Sequence, residues 1–253
     1  MLLPIGDDNR DRQIVPLVNY LLIIINIIVF VFLQNWGNNI HFTYAYSTVP
    51  GEILTGRDII TGSTILMDPV THQRLEMPGL QHTDIPVYLT LFTSMFMHGG
   101  IAHIAGNMLF LWIFGDNLEN DMGHMNYLLF YLLCGLIAGM SHVLSTAYLG
   151  HNLLMPSLGA SGAISGVLGG YILQHPRRRV HVWFLFGIFS VPAFVAVGLW
   201  FVFQLINSMG ALGGETGGVA YAAHIGGFIA GLFLVKLFVN KKPVLVNKRK
   251  AFW

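Results

Sequence analysis

Charged side chains are scarce in this chain: Asp, Glu, Lys and Arg make up 10% of its 253 residues, against about a quarter in soluble domains. That scarcity excludes a soluble globular enzyme. Cysteine is nearly missing too, and the single Cys134 excludes an internal disulfide framework. Acidic residues are absent from the whole stretch between Asp121 and Glu215, and none follows Glu215. There is no internal repeat, no low-complexity tract and no glycine-rich phosphate loop. No H-E-x-x-H occurs, and His98 and His103 are wrongly spaced to share one helical face, so no metal and no cofactor is expected. A net charge of +1 gives no basis for a nucleic-acid partner.

What is present is apolar: 54% hydrophobic residues and a mean hydropathy of +0.63. Runs of roughly 20 apolar residues, each enough to cross a bilayer, recur along the chain. They predict six helices, over about Pro16–Leu33, Ile101–Gly115, Met125–Ser145, Ser161–Gln174, Val182–Ile206 and Val219–Val239. The first is too long for a signal h-region and reads as a retained span. The chain reads as one membrane domain over 1–253: an N-terminal cytoplasmic segment over 1–15, a long outer loop over 34–86 with structure of its own, and a basic tail over 240–253. With six helices both termini share a side, and that side holds every basic residue of the 13 except Arg57 and Arg74. The positive-inside bias therefore places both termini in the cytoplasm, in a plasma or bacterial inner membrane. The tail anchors the topology and is suited to anionic lipid. Nothing in the pattern sets an oligomeric state.

Polar residues at bilayer depth are costly and mark function. Ser161 opens the fourth helix within Gly159-Ala160-Ser161-Gly162. His103 and Asn107, four residues apart, share a face of the second helix. His224 begins the sixth. Ser161 lies 16 residues before Arg177, which is roughly 24 Å of helix, and His103 and His224 come to similar depths. The fourth helix is too short to cross, so the connection before it must dip into the protein, which irregular backbone tolerates only when buried or lining a wet cavity. A serine at such a helix start gains free N–H groups that suit a developing oxyanion. Gly162, Gly166 and Gly170 form a small-residue stripe on the fourth helix, and Gly227 and Gly231 another on the sixth; they predict close packing of the two and a meeting of Ser161 with His224. With no acid in these spans, a serine–histidine dyad is favoured over a triad. His98 is assigned a structural hydrogen-bonding role; His124, His142, His151, His175 and His181 read as peripheral. A transporter or a silent client-binding protein also buries polar groups, but the former lacks inverted repeats and the latter would not need both Ser161 and His224.

Taken together, Gly159-Ala160-Ser161-Gly162, His103-x-x-x-Asn107, Ala223-His224-x-x-Gly227-x-x-x-Gly231 and Gly115-x-x-x-Glu119-x-x-x-Gly123 resemble the rhomboid family of intramembrane serine proteases over nearly the whole chain. The resemblance implies an all-α, six-transmembrane-helix rhomboid-like bundle with a long structured first outer loop. It implies Ser161 as nucleophile and His224 as general base, with an oxyanion hole of His103, Asn107 and the Ser161 amide. Gly159, Gly162, Gly227, Gly231 and Glu119 would be structural, Glu119 in a cytoplasmic-side turn. The partners implied are transmembrane protein substrates, cut in transmembrane or juxtamembrane segments. The fifth helix and the glycine-rich loop over 207–218 would be a lateral gate and cap. Many relatives carry an aromatic four residues after the nucleophile; here Ser165 stands there, and its hydroxyl becomes the candidate support for His224. The Trp-Arg pair of some members' outer loop is absent.

Overall fold

The computed structural model describes residues 3–67, 74–185, 187–212 and 221–239. The basic tail and the part of the glycine-rich loop beyond Leu212, Glu215 included, lie outside the described residues. In chain order the elements are β1 (Leu3–Asp7), α1 (Leu17–Ile28, continued by a π-helical turn Val29–Leu33), α2 (Ile40–Tyr46), α3 (Pro50–Thr55), β2 (Thr64–Met67), β3 (Arg74–Met77), α4 (Thr90–Thr93), α5 (Ile101–Met122), α6 (His124–Tyr148), α7 (Ser161–Gln174), β4 (Arg179–Phe184), β5 (Gly187–Pro192), α8 (Ala193–Leu212) and α9 (Tyr221–Phe238). By length and composition α6 and α9 can each cross a membrane, with mean hydropathies of 1.9 and 1.6. The segments Val87–Phe96 and Ile101–Met122 make a third candidate if taken as one span, bent by 81°. Leu17–Leu33 and Ala193–Ile206 are shorter apolar helices. The segment after α1 contains two short helices and the β2–β3 hairpin.

The core lies where α5, α6, α7 and α9 meet, filled by Phe114, Leu118, Tyr127, Phe130, Tyr131 and Tyr171, all fully buried. The α7–α9 contact is glycine against backbone. A Cβ on Gly227 would lie 2.1 Å from the carbonyl oxygen of Gly162, and one on Gly231 would lie 2.0 Å from that of Gly166. No side chain fits there, so the two predicted stripes do bring the helices into direct contact.

Three elements differ from the sequence reading. The fifth helix does not begin at Val182: the run over 179–192 is the β4–β5 hairpin, and β1 pairs antiparallel with β4 to give the order β1-β4-β5. Alternation explains it, because Val180 and Val182 are buried while Arg179, His181 and Trp183 are exposed, a period of two rather than 3.6. The N-terminal segment is accordingly part of a sheet. The helix that follows runs on to Leu212, taking in residues expected as loop. Lastly, α5 runs on past Gly115 through Glu119 to Met122 instead of ending at Gly115.

That extension explains the Gly115–Gly123 motif. The buried carboxylate of Glu119 accepts the backbone N–H groups of Val18 (2.9 Å) and Asn19 (2.7 Å), satisfying the open N-terminus of α1, and it also meets His124 Nδ1. Asn19 donates to the Leu111 carbonyl and accepts from the Tyr127 hydroxyl, joining α1 to α5 and α6. Gly115 leaves room for that pair, since a Cβ there would lie 2.1 Å from Asn19 Oδ1. Gly123, at φ +77°, makes the turn from α5 into α6.

Candidate active site

Ser161 is the first residue of α7, as the sequence placed it, and the irregular chain before it is pinned from both sides. Thr48 and Ser157 exchange backbone hydrogen bonds of 3.0 and 2.8 Å, and the Gly159 N–H donates to the Ser94 carbonyl at 2.9 Å. Gly159 itself holds φ +130°, and a Cβ there would approach His103 Cε1 to 3.0 Å and Nε2 to 3.1 Å. Both the backbone angle and the ring above it demand glycine.

Across the α7–α9 contact, Ser161 Oγ lies 2.8 Å from His224 Nε2. The distance follows from the glycines: Gly162 follows Ser161, Gly227 lies one turn after His224, and the backbones of the two glycines touch. The other ring nitrogen, His224 Nδ1, lies 2.8 Å from Oε1 of Gln204 on α8, a buried amide. Trp200, one turn earlier on α8, has its ring centroid 6.2 Å from that of His224, and Tyr221 stands edge-on at 6.4 Å. Ser165 does not hold the histidine. Its hydroxyl donates to the Ser161 carbonyl at 2.6 Å, one helical turn back.

His103 Nδ1 accepts the Gly99 N–H at 3.3 Å. A neutral imidazole accepting at Nδ1 carries its proton on Nε2, and Nε2 lies on the Gly159 side of the ring, beside Ser161. Asn107, one turn further along α5, is buried with its Nδ2 lacking a partner among the described residues. The His98 ring likewise has no hydrogen-bond partner among the described residues, contrary to its expected bonding role: the backbone of His98 pairs with the Gln34 side chain, and the imidazole packs edge-on against His103. A pocket of about 430 Å³, counting its open mouth, lies against Ser161 and is lined on its polar side by Thr48, Ser94, His142 and Ser157. His142 therefore borders the site rather than the periphery. Among the described residues no group of three or more His, Cys, Asp or Glu could hold a metal ion.

Sequence reasoning thus named Ser161, His224, His103 and Asn107 but missed Gln204. The signal was there, an amide within an apolar helix, and Asn19 and Asn26 carried the same signal on α1.

A model of the Rhomboid domain matches residues 86–241. Among curated proteins, Rhomboid protein 1, mitochondrial, of Saccharomyces cerevisiae is 31% identical over 173 residues, covering 68% of this chain and 47% of that protein. Rhomboid protease GluP of Bacillus subtilis is 33% identical over 144 residues, covering 56% and 27%. Presenilin-associated rhomboid-like protein, mitochondrial, of Mus musculus is 29% identical over 187 residues, covering 67% and 47%. The chain spans less than half the length of these relatives.

Proposed function

The chain belongs to the rhomboid family, and on that premise we propose that it is an intramembrane serine endopeptidase working through a Ser161–His224 dyad. The observation that carries the reading is the 2.8 Å contact between Ser161 Oγ and His224 Nε2, made between two helices held backbone to backbone. In the proposed reaction His224 Nε2 takes the hydroxyl proton as Ser161 attacks the scissile carbonyl, then returns it to the leaving amine. Water, activated by the same ring, hydrolyses the acyl-enzyme. The oxyanion receives hydrogen bonds from His103 Nε2–H, from Asn107 Nδ2 and from the Ser161 amide, a free N–H of the first turn of α7. The unpartnered Asn107 donor and the tautomer that Gly99 imposes on His103 support these roles. Glu119 and the glycines 159, 162, 227 and 231 serve as structure.

The substrates we propose are transmembrane proteins, cut within or beside their spans, with the polar pocket next to Ser161 admitting an unwound segment and water. We read the chain as six spans with both termini cytoplasmic in a cell membrane. In support, Arg12 and Arg178 come together at one end, Arg12 on Asp116 and Arg178 on Asp11 and the Asp8 carbonyl. Two of the three relatives named above are called mitochondrial, so labelling of single cysteines placed at either terminus, in sealed bacterial and mitochondrial vesicles, tests membrane and orientation together. The activity is tested by incubating the purified protein in lipid with a model transmembrane substrate. Cleavage by the intact chain and none by Ser161→Ala is expected; equal cleavage by both overturns the assignment.

A further inference from the structure

We propose that Gln204 is a positioning residue for the reaction, fixing the tautomer and orientation of His224 from a third helix; this rests on the protease reading above. A base that takes the Ser161 proton must present an unprotonated Nε2. The imidazole can fail to do so in two ways, by carrying its proton on Nε2 or by turning over about its ring axis. Neither Trp200 nor Tyr221 prevents these, because flat walls accept either ring state. Only a directional bond to Nδ1 does. Gln204 makes it: Oε1 is solely an acceptor, so Nδ1 must carry the proton, and Nε2 is left with a lone pair facing Ser161 Oγ.

The contact is well isolated. Gln204 is only 7% exposed, and within the protein it stands one turn after Trp200 on the face of α8 that meets α9. An amide bears no charge, so unlike a triad carboxylate it orients the ring without neutralising the imidazolium. Its removal should therefore cost less than loss of an acid, and in the range found for partners that orient histidines elsewhere. There is a consequence for assembly of the site. Ser161 and His224 reside on α7 and α9, but the group that aims the base resides on α8, so a competent base requires α8 to lie against α9.

The test uses the full chain in lipid, with Gln204→Leu, which keeps size and removes the acceptor, and Gln204→Glu, which keeps the acceptor. In ¹⁵N-histidine-labelled protein, His224 should show an unprotonated Nε2 in the wild type and a mixture of tautomers in Gln204→Leu. For cleavage of the model substrate, Gln204→Leu should lower kcat by about ten- to a hundred-fold with KM within about two-fold. Gln204→Glu should recover most of the rate. A thermal midpoint unchanged between wild type and Gln204→Leu excludes a merely structural loss; if Leu does lower it, the tautomer measurement and the Glu variant decide. A wild-type Nε2 that carries the proton, or equal turnover by Gln204→Leu and wild type, overturns the proposal while leaving Ser161-dependent cleavage intact. Absence of Ser161-dependent cleavage instead overturns the protease reading, and the nitrogen spectrum still reports whether Gln204 sets the ring.

Discussion

The separation of Ser161 and His224 should be adjustable by one methyl group at Gly227. In Gly227→Ala the new Cβ would stand 2.1 Å from the Gly162 carbonyl oxygen and 3.0 Å from its carbon. Neither atom is the end of a flexible side chain. Restoring ordinary contact requires α7 and α9 to part by about 1 Å, since close-packed interiors have no slack to absorb it. His224 lies three residues before Gly227 and Ser161 one before Gly162, so that parting falls on the 2.8 Å pair itself. It opens to about 3.8 Å, beyond hydrogen-bond range. Overpacking of this kind costs about 1–3 kcal/mol of stability, and a 1 Å misplacement of reacting groups costs about a hundred-fold in rate. The assay is kcat for Ser161-dependent cleavage beside the thermal midpoint. Gly198→Ala on α8, where a Cβ meets nothing within 4 Å, serves as control and should hold stability or gain about 0.5–1 kcal/mol. Wild-type kcat and midpoint in Gly227→Ala would refute the claim that backbone contact sets the pair.

Other positions give independent checks. Glu119→Ala leaves the Val18 and Asn19 amides without an acceptor at the start of α1 and should destabilise the protein by about 2–4 kcal/mol in thermal or denaturant unfolding. Burial raises the Asp7 carboxyl to about 6, the Tyr171 hydroxyl bond and the Arg178 charge offsetting only part of it. The folded state therefore holds the Asp7 proton at pH values where the unfolded chain has lost it, so this group's stabilisation is full below about pH 4 and is lost up to about pH 6, a fall of about 2–3 kcal/mol. Asp7→Asn should remove that slope in unfolding measured from pH 4 to 7, and an unchanged slope would refute the assignment. Ser165→Ala should leave kcat within about two-fold, because its hydroxyl serves the Ser161 carbonyl and not the imidazole; a large loss would restore Ser165 as the support for His224.

Much of the site was legible because its signals are local or positional. Ser161 announces itself as a serine at the start of a short helix after a Gly- and Pro-bearing connection. The pairing of Gly162 with Gly227, and of Gly166 with Gly231, follows from matched four-residue stripes. Gln204 escaped for the opposite reason: on its own it is a single amide in an apolar run, and its partner lies 20 residues on, in another helix. The β4–β5 hairpin was absorbed into a predicted span because 182–206 is apolar apart from Ser190 and Gln204, and hydropathy integrates over a window that blurs period two into period 3.6. The N-terminal strand could not be seen as one until β4 existed to pair with it. Glu119 was placed in a turn by resemblance; that it closes the start of α1, about a hundred residues earlier, depends on tertiary proximity alone.

The three-stranded sheet carries a practical corollary. The first turn of α8 hangs from the hairpin region, with the Ala193 amide on the Arg178 carbonyl and the Phe194 amide on that of Pro176, while the hairpin is laced to residues 3–7. Trimming those residues, or threading a bulky affinity handle through them, strips one edge from the platform on which α8 stands. The disturbance would then travel up a rigid rod to the amide that touches the imidazole, so engineering at the amino end deserves the caution usually kept for the pocket.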